Sequence, residues 1–194
     1  MFKPNDMEDR TMRILLKTTL VFALFAMVPA NADQNDPELV GLFDRLHETE
    51  NHVEAVSITN QIWRVWRHFD DEDVTLLMAQ GMQSMHGADL KVAVEYFSKV
   101  VDLAPEFAEG WNARATAYYM MGEYELSTSD VKQTLRLEPR HFGALSGQGL
   151  IYMQLENHLA ALVFLERALQ YNPHMHNISE SIKLIRKQIQ QNII

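Results

Sequence analysis

The sequence of 194 residues holds no cysteine. It can therefore form no disulfide framework, no thiol nucleophile and no thiolate metal site. Lipid anchoring through a cysteine behind an export signal goes with them. Positive charge is also short: 17 lysines and arginines stand against 26 acidic residues, a net charge of −9. No basic stripe is visible, which argues against nucleic acid as a partner and against docking on anionic membranes. There is no glycine-rich phosphate loop and no G-x-S-x-G nucleophile turn. No apolar run reaches the roughly 20 residues needed to span a bilayer. What remains is 47% hydrophobic and 22% charged, the balance of a folded soluble chain. The length suits one domain or one short solenoid.

The first residues read as targeting. Arg13 and Lys17 precede the apolar stretch Leu20 to Val28, and Pro29-Ala30-Asn31-Ala32 follows. A basic start, a short apolar core and an A-x-A site make a secretory signal peptide over residues 1–32. Cleavage after Ala32 leaves a mature chain beginning at Asp33 and places it in a periplasm. The alternative is an uncleaved segment anchoring the chain in the inner membrane.

The body of the chain is periodic. Pro105, Pro139 and Pro173 are spaced by 34 residues each time, and in that register the chain divides into units 74–107, 108–141 and 142–175. Gly81, Ala115 and Gly149 then share one position. Phe97, Val131 and Leu165 share another, as do Leu77, Trp111 and Leu145, and Ala93, Ser127 and Ala161. Each unit splits into two amphipathic segments. Small residues let two helix backbones approach, and large ones fill the space beside them. Gly87-Ala88-Asp89 and Gly122-Glu123 separate the two helices of their units, with Asp89 as an expected N-cap. Glu156-Asn157 makes a weaker break in the third unit. Each proline ends a unit, because proline cannot continue a helix interior.

Flanking helices complete the pattern. Residues 33–73 read as a degenerate helix pair capping the first unit. Asp36-Pro37 starts its first helix, with a stripe of Val40, Phe43 and Leu46. Asn51 caps the second, whose stripe is Ala55, Ile58, Ile62 and Trp66. Residues 176–194 hold a C-terminal cap, with Ile178, Ile182, Ile185 and Ile189 along one side. The expected count is about nine helices and no strand.

The three units resemble the tetratricopeptide repeat, whose signature is W-x2-L-G-x2-Y followed by small, aromatic, small and proline positions. The middle unit is nearest, with Trp111, Tyr118-Tyr119, Gly122-Glu123-Tyr124 and Leu137-Glu138-Pro139. Arg114 stands where leucine is usual and Thr134 where alanine is. The resemblance implies an all-α, right-handed solenoid of three helix pairs with capping helices at both ends. It also implies a concave surface lined by the first helix of each pair. Carried over residue by residue, the groove positions are Thr75, Met78, Met82 and Met85 in the first unit. They are Glu109, Asn112, Thr116 and Tyr119 in the second, and Gly143, Ser146, Leu150 and Met153 in the third. Such a groove is neutral and methionine-rich, suited to apolar ligands. Some relatives grip an acidic C-terminus with lysine, asparagine and arginine. The matching positions here are Met78, Met82, Ala113, Gly143 and Gly147, so acidic-tail binding of that type is not expected.

The functional expectation is a non-catalytic protein-interaction module or scaffold that takes an apolar or neutral peptide or helix. No cofactor, metal or nucleic acid is expected. The alternatives are a structural or self-associating subunit, with its groove filled by its own N-terminal segment or by another copy, and a metal handler. The last would draw on His174-Met175-His176 and on Met78, Met82, Met85 and His86, since thioether and imidazole suit Cu(I). Loop histidines after Pro173 are the simpler reading. Trp63 and Trp66 could stack a sugar or base, although their three-residue spacing on a helix also suits a core.

Overall fold

A computed structural model describes residues 33–191. Residues 1–32, over which a signal peptide is expected, lie outside them. A 3-10 turn at Asp33–Asn35 leads into α1 (Glu38–Glu48), α2 (His52–Arg67), α3 (Glu72–His86) and α4 (Leu90–Leu103). Then follow α5 (Ala108–Met121), α6 (Tyr124–Leu137), α7 (Phe142–Gln154), α8 (His158–Tyr171) and α9 (His176–Gln191). Among the described residues there are nine α-helices and no strand. The three units are the antiparallel pairs α3–α4, α5–α6 and α7–α8, and α9 closes the stack.

Complementary sizes hold each pair. A Cβ at Gly81 would run into the Phe97 ring, and one at Gly149 into the Leu165 side chain. In the middle pair the glycine is Ala115, and its partner is the smaller Val131. The extra methyl on one side is matched by lost bulk on the other, so the helices keep close packing. At the C-terminal end, Ile178, Ile182 and Ile185 are buried against Ala161 and Leu165, with Ile189 partly covered.

The turns inside the pairs fall where the sequence places them, at 87–89, 122–123 and 155–157. The residue that enters the left-handed region is Gly122 (φ 80°) in the middle unit, Ala88 (φ 61°) in the first and Glu156 (φ 55°) in the third. These three lie 34 residues apart, so the backbone repeats where the residue type does not. Gly87, which opens the first of these turns, has φ −75°. Asp89 precedes α4 but its side chain accepts no capping bond. Asn157 does cap α8, accepting from the Ala160 N–H at 3.2 Å.

The N-terminal pair departs further. Asn51 caps α2 as expected, accepting from the Val53 and Glu54 N–H groups at 2.9 and 3.2 Å. The α1 stripe is Leu39, Leu42, Phe43 and Leu46, whereas Val40 is 58% exposed. Helices α1 and α2 make scant backbone contact with α3. They do not cap the first unit. Their apolar faces form one core with Phe142, Leu145 and Ala168 of the third unit, joined by Trp63, Phe164, Tyr171 and Met175. Aromatic contacts fasten the pair there: Phe43, Trp63 and Trp66 pack on Phe142, Phe43 also on Tyr171, and both tryptophans on His141 at the end of the second unit.

Candidate functional site

Two helices, α5 and α7, present their first-helix faces to a common opening of about 310 Å³. Asn112, Thr116, Tyr119, Gly143, Ser146 and Leu150 line it, with Met120 and Val131 behind them. No lining residue carries a charge. These side chains meet because α5 and α7 repeat at 34 residues, so Glu109 and Gly143, or Asn112 and Ser146, occupy matching places. Thr116 donates to the Asn112 carbonyl at 2.9 Å, and Ser146 to the Gly143 carbonyl at 2.9 Å. Their hydroxyls are thus turned along the helices, and the opening is largely apolar.

The other expected groove residues go elsewhere. Met78 is buried with Phe69, Val74, Phe97 and Phe107, and Met82 and Met85 pack on the same core. Thr75 is exposed, and its hydroxyl donates to the Phe69 carbonyl at 3.2 Å. Met153 packs on the core under α9. Glu109 is 4% exposed and sealed beneath α2.

Helix α2 covers the N-terminal ends of α5 and α7. A Cβ at Gly143 would come within 2.6 Å of the Trp63 ring, so glycine is what lets α2 sit there. Trp66 stacks on His141, with ring centroids 4.2 Å apart and an interplanar angle of 12°. His141 is fully buried. Its Nδ1 accepts from the Ala144 N–H at 3.1 Å and caps α7. The acceptor role at Nδ1 assigns the proton to Nε2, which therefore donates to Glu109 Oε2 at 3.2 Å. Asn112 Nδ2 donates to the same oxygen at 2.8 Å, and Arg67 reaches Glu109 Oε1 at 3.5 Å. A buried carboxylate thereby has three partners, which satisfies the demand that buried charge be paired and bonded.

Further ties fasten the pair at its edges. Gln34 Nε2 donates to the Glu106 carbonyl at 2.7 Å. Arg140 donates to the Gln34 carbonyl at 3.3 Å, lies 4.9 Å from the Phe43 ring centre and pairs with Glu138 at 2.6 Å. The Glu138 bond raises the Arg140 guanidinium above its ordinary value. Asn172 donates to Thr59 at 3.3 Å, and His174 Nε2 donates to the Leu46 carbonyl at 3.0 Å. A second opening of about 300 Å³ lies between α2 and the third unit, lined by Val56, Asn60, Trp63, Gly143, Ser146 and Met175 among others. Gly143 and Ser146 border both openings.

His141 had a legible signal. Its unit-equivalent residues are Phe107 and Met175, so a histidine breaks an apolar column. Nothing periodic marked Gln34 or Arg67. His174 faces Leu46, and His176 faces His52 with ring centroids 5.5 Å apart. Among the described residues no three metal-ligating His, Asp or Glu side chains come together. No described helix is long and apolar enough to cross a membrane.

Comparison with known proteins places this architecture. The family model described as tetratricopeptide repeat matches residues 143–175. A TPR repeat-containing protein of Rhizobium etli is 32% identical over 151 residues, covering 78% of this chain and 74% of that one. Small glutamine-rich tetratricopeptide repeat-containing protein 2 of Mycosarcoma maydis is 22% identical over 122 residues; the match spans only 35% of that protein. Among solved structures, the first TPR of Spaghetti (RPAP3) bound to the HSP90 peptide SRMEEVD superposes with a TM-score of 0.60 at 20% identity, covering 62% of this chain and 96% of that one. A crystal structure of MamA matches with a TM-score of 0.58 at 20% identity, covering 76% and 84%. At those identities the structural matches establish the fold.

Proposed function

The chain belongs to the tetratricopeptide repeat family, and from that premise we propose that it is a non-catalytic protein-interaction module whose α5–α7 opening takes an apolar or neutral segment of a partner. One observation carries this reading: the 310 Å³ opening has no charged residue in its lining. A charged ligand group buried there would have no counter-ion. The peptide SRMEEVD is the ligand of the Spaghetti domain, and the reading does not extend to such a peptide here. The clamp positions are Met78, Met82, Ala113, Gly143 and Gly147, none of them cationic. Apolar anchors at about 1.5–3 kcal/mol each, less ordering costs, set the expected affinity for a short segment near the micromolar range.

The test is Tyr119→Glu, which puts a charge into the opening from a partly exposed position. Partner capture in cell extracts should fall at least tenfold, about 1.4 kcal/mol, with helical content unchanged. Undiminished capture moves the site to another face.

Export belongs to the same proposal. It rests on Arg13, Lys17, the apolar stretch Leu20 to Val28 and Ala30-Asn31-Ala32. Sequencing the mature N-terminus should return Asp33 first; retention of residues 1–32 in a membrane fraction would favour the anchored alternative.

A further inference from the structure

We propose that α2 is an internal occupant of the concave face, and that the partner which takes this face is an amphipathic helix of the same chemistry: two aromatic side chains at i and i+3 followed by a cation that meets Glu109, outside the uncharged opening. This deepens the interaction reading above and rests on it.

The occupant is visible. Trp63, Trp66 and Arg67 project from one side of α2 onto Gly143, His141 and Glu109 respectively. Gly143 and Glu109 are the same position of consecutive units, at which the family presents residues to ligands. The seat is specific in shape, because any side chain at 143 would displace the Trp63 ring. It is specific in charge, because Glu109 is a buried carboxylate that needs a cation or donors above it. A helix offering an apolar side chain in place of Arg67 would leave that carboxylate one partner short.

The occupant is also separable. α2 has scant backbone contact with α3, its neighbour in sequence. The segment His68–Asp71 between them is anchored on the repeat side, where Phe69 packs on Phe107 with ring centroids 4.9 Å apart. The first unit therefore keeps its own core when α1–α2 lifts away. Trp63 lines the opening beside α2, and that opening shares Gly143 and Ser146 with the α5–α7 opening. Because α2 is tethered, its effective concentration at the seat is high. A partner helix binds with apparent affinity reduced by the fraction of molecules in which the seat is vacant.

The probe is a labelled peptide of residues 52–67, titrated against the full chain. Trp63→Ala in the protein should tighten peptide binding at least tenfold relative to the unaltered chain. A peptide with alanine at both tryptophan positions should not bind. The chain's lack of cysteine allows a second arm that leaves the tryptophans in place. Thr59→Cys with Asn172→Cys replaces a pair whose side chains are in contact, Asn172 Nδ2 donating to Thr59 Oγ1 at 3.3 Å. Oxidised, this variant should bind the peptide at least tenfold more weakly than when reduced. Equal binding in the two redox states, or no binding to a fully helical Trp63→Ala chain, overturns the inference. If Trp63→Ala fails to fold, the redox pair decides alone. Peptide failure with partner capture still lost in Tyr119→Glu overturns this inference and leaves the interaction reading in place. Exchange of α1–α2 between two copies would show as a dimer on reduction, and that outcome too overturns an internal occupant.

Discussion

At the scale of single residues, Arg114 is the instructive departure from the family pattern. It occupies a position where leucine is usual, and it has acquired a carboxylate to match. Its guanidinium makes a two-pronged bond with Asp130, at 2.7 and 2.9 Å, and donates to the Ser98 hydroxyl at 3.2 Å. It also lies 5.0 Å from the Trp111 ring centre. The Asp130 bond raises the Arg114 guanidinium above its ordinary value. Asp130 is 3% exposed, so Asp130→Ala strands a half-buried cation and should cost about 3 kcal/mol. Arg114→Leu with Asp130→Ala restores the usual apolar position and should cost less than Asp130→Ala alone. Denaturant melts of the two variants check this; equal losses would mean that the pair is not coupled. Met78 supplies a second residue-scale test. Read from the repeat it is a groove residue, yet in the fold it is 9% exposed within a core. Met78→Glu should therefore lower stability by about 3 kcal/mol or more, unlike Tyr119→Glu. A thermal melt of the two separates core from opening.

At the scale of elements, the three intra-pair turns make a natural series. Position equivalence puts Ala88, Gly122 and Glu156 in one left-handed backbone state, and only the middle unit uses the residue that enters it without a Cβ penalty. Ala88→Gly and Glu156→Gly should each raise stability by about 0.5–1 kcal/mol, and Gly122→Ala should lower it by about 1 kcal/mol. Chemical denaturation midpoints test all three. Helix number and the pairing within the units were readable beforehand because proline and small–large alternation act locally and recur three times. Which turn residue enters the left-handed region was not, because the turn Gly87-Ala88-Asp89 offers a glycine first and the backbone takes positive φ at Ala88 instead. The α1–α2 turn adds an acid response. Glu54 accepts from the Thr49 hydroxyl at 2.8 Å and from Arg45 at 3.3 Å, and the Thr49 bond, then the Arg45 bond, hold its carboxyl below the ordinary value. A depressed carboxylate stabilises the fold above its unfolded-state pKa, and that contribution is lost as pH falls through the folded value. Amide exchange at the α1–α2 junction should quicken on that descent, and Glu54→Gln should remove the pH dependence of the change.

At the scale of the whole molecule, the stack of helix pairs was legible and the seat of the N-terminal pair was not. A repeat register relates neighbours in sequence, so it placed α1–α2 on the first unit by continuity. The contacts that decide the matter are long-range: Phe43 with Phe142 and Tyr171, and Trp66 with His141. None has a periodic signature. The groove was half legible for the same reason. Positions on α5 and α7 converge as the repeat implies, while Glu109 is covered by a helix from outside the register. Hydrogen exchange on the full chain should therefore show α1 and α2 opening together, at a lower free energy than α5 to α8. A single exchange unit for the entire chain would contradict a separable pair.

The placement of α2 has an optical consequence. Of the chain's three tryptophans, two stand on that helix, packed edge-to-face with centroids 5.4 Å apart, and one of them is stacked on an imidazole. Coupled indoles in a fixed, chiral setting give strong near-ultraviolet ellipticity. The protein thus carries an unlabelled reporter of its own N-terminal pair: the spectrum belongs mostly to α2, and Trp111 on α5 serves as the internal reference.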